Sequence, residues 1–117
     1  MDSQQLLATY QHLSTKLETI DDSLILANQA LLQTPNKEER RTLDETILEL
    51  ELRRNQTINR MLLLTKNSGT ITPPSEAQIN QVKSLATEVD ELAAHNQNVA
   101  STLSITSQVL TLLQSVA

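Results

Sequence analysis

The chain contains no cysteine, tryptophan or phenylalanine, and only one tyrosine and one glycine in 117 residues. Each absence excludes something. Without cysteine there is no disulfide framework and no thiolate chemistry. One Gly and three Pro leave few places where a helix could be interrupted. A β-sandwich or α/β domain needs more turn residues and more β-branched or aromatic runs than this. A glycine-rich phosphate loop is excluded on the same ground. Basic surface is also scarce. The net charge of -5 and a pI near 4.9 argue against nucleic acid, whose phosphates need cations. Arg53, Arg54, Arg60 and Lys66 do cluster, but Glu49 and Glu51 sit among them and no aromatic side chain is there to stack a base. That stretch reads as a solvated helix face.

Long apolar runs are missing too, so no membrane span is expected. The start, MDSQQLLATY, has neither a basic n-region nor a continuous apolar core, so it does not read as a signal peptide. The expected location is cytoplasmic, and the Asn55-Gln-Thr57 sequon then has no meaning. The length suits a single helical domain over 1–117.

What is present is heptad spacing. Apolar residues fall at Leu6, Tyr10, Leu13, Leu17, Ile20, Leu24, Ala27 and Leu31, in alternating steps of four and three, after a cap at Asp2 or Ser3. Pro35 stops this helix. Asn36 with Glu39 forms a capping box for a second helix, whose seam runs Leu43, Ile47, Leu50, Arg54, Thr57, Met61, Leu64. Leu48, Ile58 and Leu62 widen that seam toward a second neighbour. Arg40–Asp44, Arg41–Glu45 and Glu49–Arg53 are spaced as i,i+4 ion pairs. Asn67-Ser68-Gly69 ends the helix, with Gly69 suited to a left-handed C′ position.

After the extended loop TITPP, Ser75 and Gln78 form another capping box. The third seam is Val82, Leu85, Val89, Leu92, Asn96, Val99, Leu103, Thr106, Leu110, Leu113. Ala86, Ala93, Ala100 and Ser107 recur beside it and would let a neighbouring backbone approach. The expected helices are about 3–33, 37–66 and 76–116, with a loop at 67–74. Short connections make neighbours antiparallel. The fold class is therefore all-α: an antiparallel three-helix bundle or coiled coil with an extended C-terminal helix.

Residues 92–117, LAAHNQNVASTLSITSQVLTLLQSVA, carry no Asp, Glu, Lys or Arg. A third helix of this length overshoots its companions by about ten residues, roughly 15 Å. There the apolar arc covers about half the circumference, against roughly 100° for a one-sided helix. A helix apolar on two faces is covered on two sides. The expectation is that Ile105, Val109, Leu110, Leu112, Leu113 and Val116, with Asn96, Val99 and Leu103 leading into them, form a partner-binding surface. The partner is an amphipathic helix of a client or another copy of the chain. Asn96, alone in an apolar seam, would fix register or touch the client.

Chemistry finds little footing. Glu91 and His95 share a helix face, with Glu88 one turn back. A di-iron bundle needs Glu-x-x-His twice plus two more inward carboxylates. The pair reads as a surface Glu–His contact, and no Ser-His-Asp set is arguable. No catalytic residue, metal site or cofactor is expected, and the chain does not read as an enzyme.

The segment ELAAHNQNVASTLSITSQVLTLLQ resembles the end of FlgN-type flagellar export chaperones, through Leu92, Asn96, Val99, Leu103, Leu110, Leu112 and Leu113. Gln97 stands where that family has a glycine. The resemblance implies a cytoplasmic chaperone of type III (flagellar) export that holds the C-terminal helices of hook-associated proteins. The client would then sit on these tail apolars. The alternative is a structural coiled-coil protein that self-associates through the same helix.

Overall fold

The computed structural model describes residues 1–95 and 98–115, with Ser115 described by its backbone alone. Among the described residues there are four α-helices and no strand: α1 (Ser3–Gln33), α2 (Lys37–Lys66), α3 (Glu76–Ala94) and α4 (Val99–Ser115), with a 3-10 turn at Ser68–Thr70. The all-α expectation holds. The single long third helix does not, because it is two helices.

Local chemistry explains most of the boundaries. Asp2 and Gln5 cap α1 reciprocally: the Gln5 N–H donates to Asp2 Oδ1 at 2.8 Å and the Asp2 N–H to Gln5 Oε1 at 3.2 Å. Thr34, held extended by the proline that follows it, ends α1. The turn is then tied from α2. Arg40 Nη1 donates to the carbonyls of Leu31 (2.9 Å) and Thr34 (3.2 Å), so it serves the C-terminus of α1 rather than the expected pairing with Asp44. Asn36 Oδ1 accepts from the N–H groups of Glu38 and Glu39, whereas the Glu39 carboxylate accepts from the Thr34 hydroxyl, so only half of the expected box forms. The expected pairs Arg41–Glu45 and Glu49–Arg53 are present at 3.4 and 3.6 Å. Gly69 takes no positive φ; it lies inside the 3-10 turn, and Asn67 caps α2 instead. The Ser75–Gln78 box is complete.

The end of α3 and the start of α4 each have local partners. His95 turns extended (φ -116°, ψ 159°) and its Nδ1 donates to the Glu91 carbonyl at 2.7 Å. The His95 ring thus bonds the backbone of Glu91, the residue expected to pair with it. Asn98 Oδ1 accepts from the Ser101 N–H at 2.8 Å, and its carbonyl accepts from the Thr102 N–H. A side-chain oxygen on the third N–H of a helix is an N-cap, and a new helix starts there.

The break lets α4 reverse. Near the first turns of α1, Ala8, His12 and Thr15 face Ile79, Val82 and Lys83, and farther along Asp22 meets Asp90, so α3 runs parallel to α1. Val99 and Leu103 pack against Ala27, Ala30 and Leu43, whereas Leu113 lies by Leu13, Lys16 and Thr57, so α4 runs back antiparallel to α1. α1 is central, α2 and α3 flank it with little direct contact, and α4 fills the trough between them. The longest extent, 51 Å, is close to the roughly 46 Å of a 31-residue helix. No described helix is long and apolar enough to cross a membrane.

The interior is more polar than a leucine seam implies. Leu13, Ile20 and Ala27 are buried as expected, but Tyr10 is exposed, and Thr9, His12, Lys16, Thr19 and Ser23 are buried instead. The hydroxyls of Thr9, Thr19 and Ser23 donate to the carbonyl four residues back at 2.7–2.8 Å, which satisfies them within their own helix. Small, self-satisfied side chains along this face leave room for α4 to approach α1. Ala93, Ala100 and Ser107, expected to serve that purpose on the last helix, point to solvent.

Candidate functional site

The expected partner surface on the last helix is divided by the fold. Ile105, Val109 and Leu113 are core residues, no more than 8% exposed, in one cluster with Ile20, Leu26, Leu50, Leu85 and Val89. Leu110 and Leu112 are half-buried against the same cluster; Val99 and Leu103 are half-buried against Ala27, Ala30 and Leu43. Asn96 and Val116 lie outside the described residues. The expectation of a free apolar tail is therefore overturned for Ile105, Val109 and Leu113. The physical reason is the Asn98 cap. A continuous helix would overshoot, but an interrupted one folds back and its broad apolar arc meets α1, α2 and α3 at once. The solvent side of α4 keeps only Ala100, Ser104, Ser107, Gln108, Thr111 and Gln114, all uncharged.

Exposed apolar surface lies elsewhere. Leu7, Tyr10, Ile25 and Leu32 on α1 and Leu48, Leu52, Leu62 and Leu63 on α2 are each 46–87% exposed, whereas no large apolar side chain described on α3 or α4 reaches that level. On α2 these residues have an order. Leu48, Leu52, Asn55, Asn59 and Leu62 follow steps of four, three, four and three, all are exposed, and at 100° per residue they occupy an arc of about 100° with Leu63 at its edge. This is a second heptad seam on the face opposite the buried one, which carries Leu43, Leu50, Thr57 and Leu64. Sequence spacing alone hides its role, because Leu48 and Leu62 also fit a widened inner seam. The signal that finds it is the spacing continued through Leu52, Asn55 and Asn59.

Charges surround this face. Arg54 Nε donates to Asp21 Oδ1 at 2.6 Å across the α1–α2 groove, with both side chains about two-fifths exposed. A pair so exposed contributes roughly 0–1 kcal/mol, so it orients the two helices more than it holds them. On the opposite flank of α1, burial and the facing Asp90 carboxylate push the Asp22 pKa up, and the two carboxyls share a hydrogen bond.

The outer face of the α1–α2 hairpin can bury aliphatic side chains against another helix. It brings together no nucleophile, base or phosphate cradle. No protein-family model, curated protein or solved structure matches the chain.

Proposed function

We propose that the protein is a helical binding module, a chaperone or adaptor without catalytic chemistry, that docks an amphipathic helix of a client protein on the outer face of α1 and α2. The observation that carries this reading is the exposed seam Leu48-Leu52-Asn55-Asn59-Leu62. A four-three repeat fits a facing helix and nothing else so well, because it returns a side chain to the partner about once per turn. Two asparagines in the middle of the seam weaken the contact but select register and orientation. Covering Leu48, Leu52 and Leu62, which are already about half-buried, contributes on the order of 2–5 kcal/mol gross, before ordering costs. A cytoplasmic setting belongs to the same reading.

The narrower form, a flagellar type III export chaperone, has its support in the resemblance of residues 92–113. In that form α4 itself is the client-binding helix. Docking there requires α4 to leave the trough, since Ile105, Val109 and Leu113 face the core. The outer α1–α2 face needs no such rearrangement.

A photo-crosslinking amino acid placed at position 52 in the full chain in cells tests the proposal, with positions 104 and 108 on α4 as comparison. The expected result is an adduct at 52 whose partner peptide, sequenced by mass spectrometry, is a heptad-patterned helix of a different protein. Adducts at 52 to the chain's own α1 or α2 would establish the structural, self-associating alternative. Adducts only at 104 and 108 would overturn the assignment of this face.

A further inference from the structure

The apolar repeat of α3 and α4 keeps one phase across the reversal between them. In the sequence, the seam from Val82 to Leu113 advances by threes and fours without a slip. A reversal gives no reason for this, because it resets the angular phase of the second helix; one continuous helix requires it. The fold uses a different stripe of α4. Its buried residues Thr102, Ile105, Thr106, Val109 and Leu113 are centred roughly 60° around the helix from the seam, at 100° per residue. Val99, Leu103 and Leu110, which lie on the seam, are only half-buried. Nor does residue type compel the turn: positions 92–100 contain neither glycine nor proline, which stand instead at 35, 69, 73 and 74.

We infer that α3 and α4 also join into one helix, and that the chain in this form pairs with a second copy by exchanging α4. The joined helix, Glu76 to Ser115, is about 40 residues or roughly 60 Å long. It carries α4 out of its own trough, which Ile20, Leu26, Leu50 and Val89 line. Opening alone is unfavourable, since those side chains would meet water. The α4 of a second copy refills the trough with the same contacts, so exchanging two identical helices costs no packing. The local terms nearly balance as well. Joining gives up the Asn98 cap on the Ser101 N–H, but returns the last carbonyls of α3 and the first N–H groups of α4 to helical bonding. Concentration then sets which form prevails. The exchange leaves the outer face of α1 and α2 uncovered in both copies, so it does not depend on the docking proposed above.

Light scattering on the full chain, refolded from urea at low and at high concentration, tests this inference. A dimer fraction that grows with refolding concentration is expected, with a higher helix content by circular dichroism than the monomer has. Asn98→Ala removes a cap that only the reversed form uses, twice per dimer, and should raise the association constant roughly tenfold or more. Val99→Pro acts in the opposite direction. Proline suits the first position of α4, but in a continuous helix its ring clashes with the carbonyl four residues back, so association should fall roughly tenfold or more. Leu48→Glu with Leu52→Glu, on the outer face, should leave the dimer unchanged. A chain that stays monomeric even as Asn98→Ala would overturn the inference, as would an undiminished dimer in Val99→Pro. A dimer lost in the leucine pair would overturn it too, and would assign association to the outer face. Should Val99→Pro fail to fold, Asn98→Ala decides alone: a rise in association supports exchange, and no rise overturns it.

Discussion

The two halves of the bundle direct their apolar side chains oppositely. In the α3–α4 half, Val82, Leu85, Val89, Ile105, Val109 and Leu113 all turn inward, and no large aliphatic side chain described there is exposed. In the α1–α2 half, eight large apolar side chains are exposed although the inner seams of both helices are already filled. Charge runs the other way: α2 is dense in Glu and Arg, whereas α4 has no charged residue at all. The difference teaches that lack of charge and availability for binding are separate properties. The inward side of α4 lacks charge because it touches three helices of its own chain, and its solvent side, though uncharged as well, carries only Ala, Ser, Thr and Gln. The α1–α2 face, charged and soluble at its margins, keeps leucines outward where the fold does not need them.

The sharpest way to break this contrast is to charge the inward side of α4. Val109 is 1% exposed within the main cluster. Val109→Asp leaves a carboxylate among aliphatic side chains and should destabilise the fold by more than about 4 kcal/mol. Gln108→Asp, one residue away and exposed, should change stability by less than about 0.5 kcal/mol. Urea unfolding followed by circular dichroism compares the two. Equal midpoints would mean that α4 does not belong to the core, and the division between the halves would collapse.

The contrast at Val109 also shows what the sequence could disclose. The heptad seams of α1 and α2 were legible because large aliphatics at Leu13, Ile20, Leu43, Leu50 and Leu64 report burial directly. The caps at Asp2, Asn36 and Ser75 were legible because short polar side chains have few other reasons to precede an apolar repeat. The turn into α4 was not. Asn98 is one polar residue among several in HNQN, and its capping role depends on the chain reversing there. Nor was the hydroxyl-rich interior legible, since Thr19 or Ser23 counts as polar until its donor is seen to bond its own helix. Once the reversal was missed, the broad apolar arc of α4 could be read only as a surface awaiting a partner.

A smaller effect sharpens the picture near the start of α1. The folded-state pKa of His12 is depressed from 6.5 to about 4 by burial and by Lys16. Between those values the unfolded chain holds the extra proton, so stability falls as pH drops from about 6.5 toward 4 and is fully present above that window. The loss attributable to this group is about 2–4 kcal/mol over the whole window. His12→Gln isolates it, because the opposing contribution of Asp22, whose pKa is raised, is common to both proteins. Chemical denaturation at pH 7 and pH 4.5 should show a smaller acid loss in the variant than in the parent. Equal slopes would mean that the ring is not held neutral by the fold.

The smallest expected change in stability carries the most about function. Leu48→Glu combined with Leu52→Glu alters two side chains that are 67% and 49% exposed. Neither belongs to a core cluster, so the unfolding free energy should move by less than about 1 kcal/mol in total. Solubility should rise, since adjacent exposed leucines on one helix face favour association. The same pair should abolish helix docking, because two carboxylates opposite a client's apolar seam would lose their water without gaining partners. A midpoint that stays put while a crosslink to the client from a photo-reactive residue at the exposed seam position 59 disappears would mean these leucines are kept for contact with another molecule. A midpoint that falls by several kcal/mol would instead make them part of the packing of α1 on α2, and the outward face of this half would then be no different in kind from the inward face of the other.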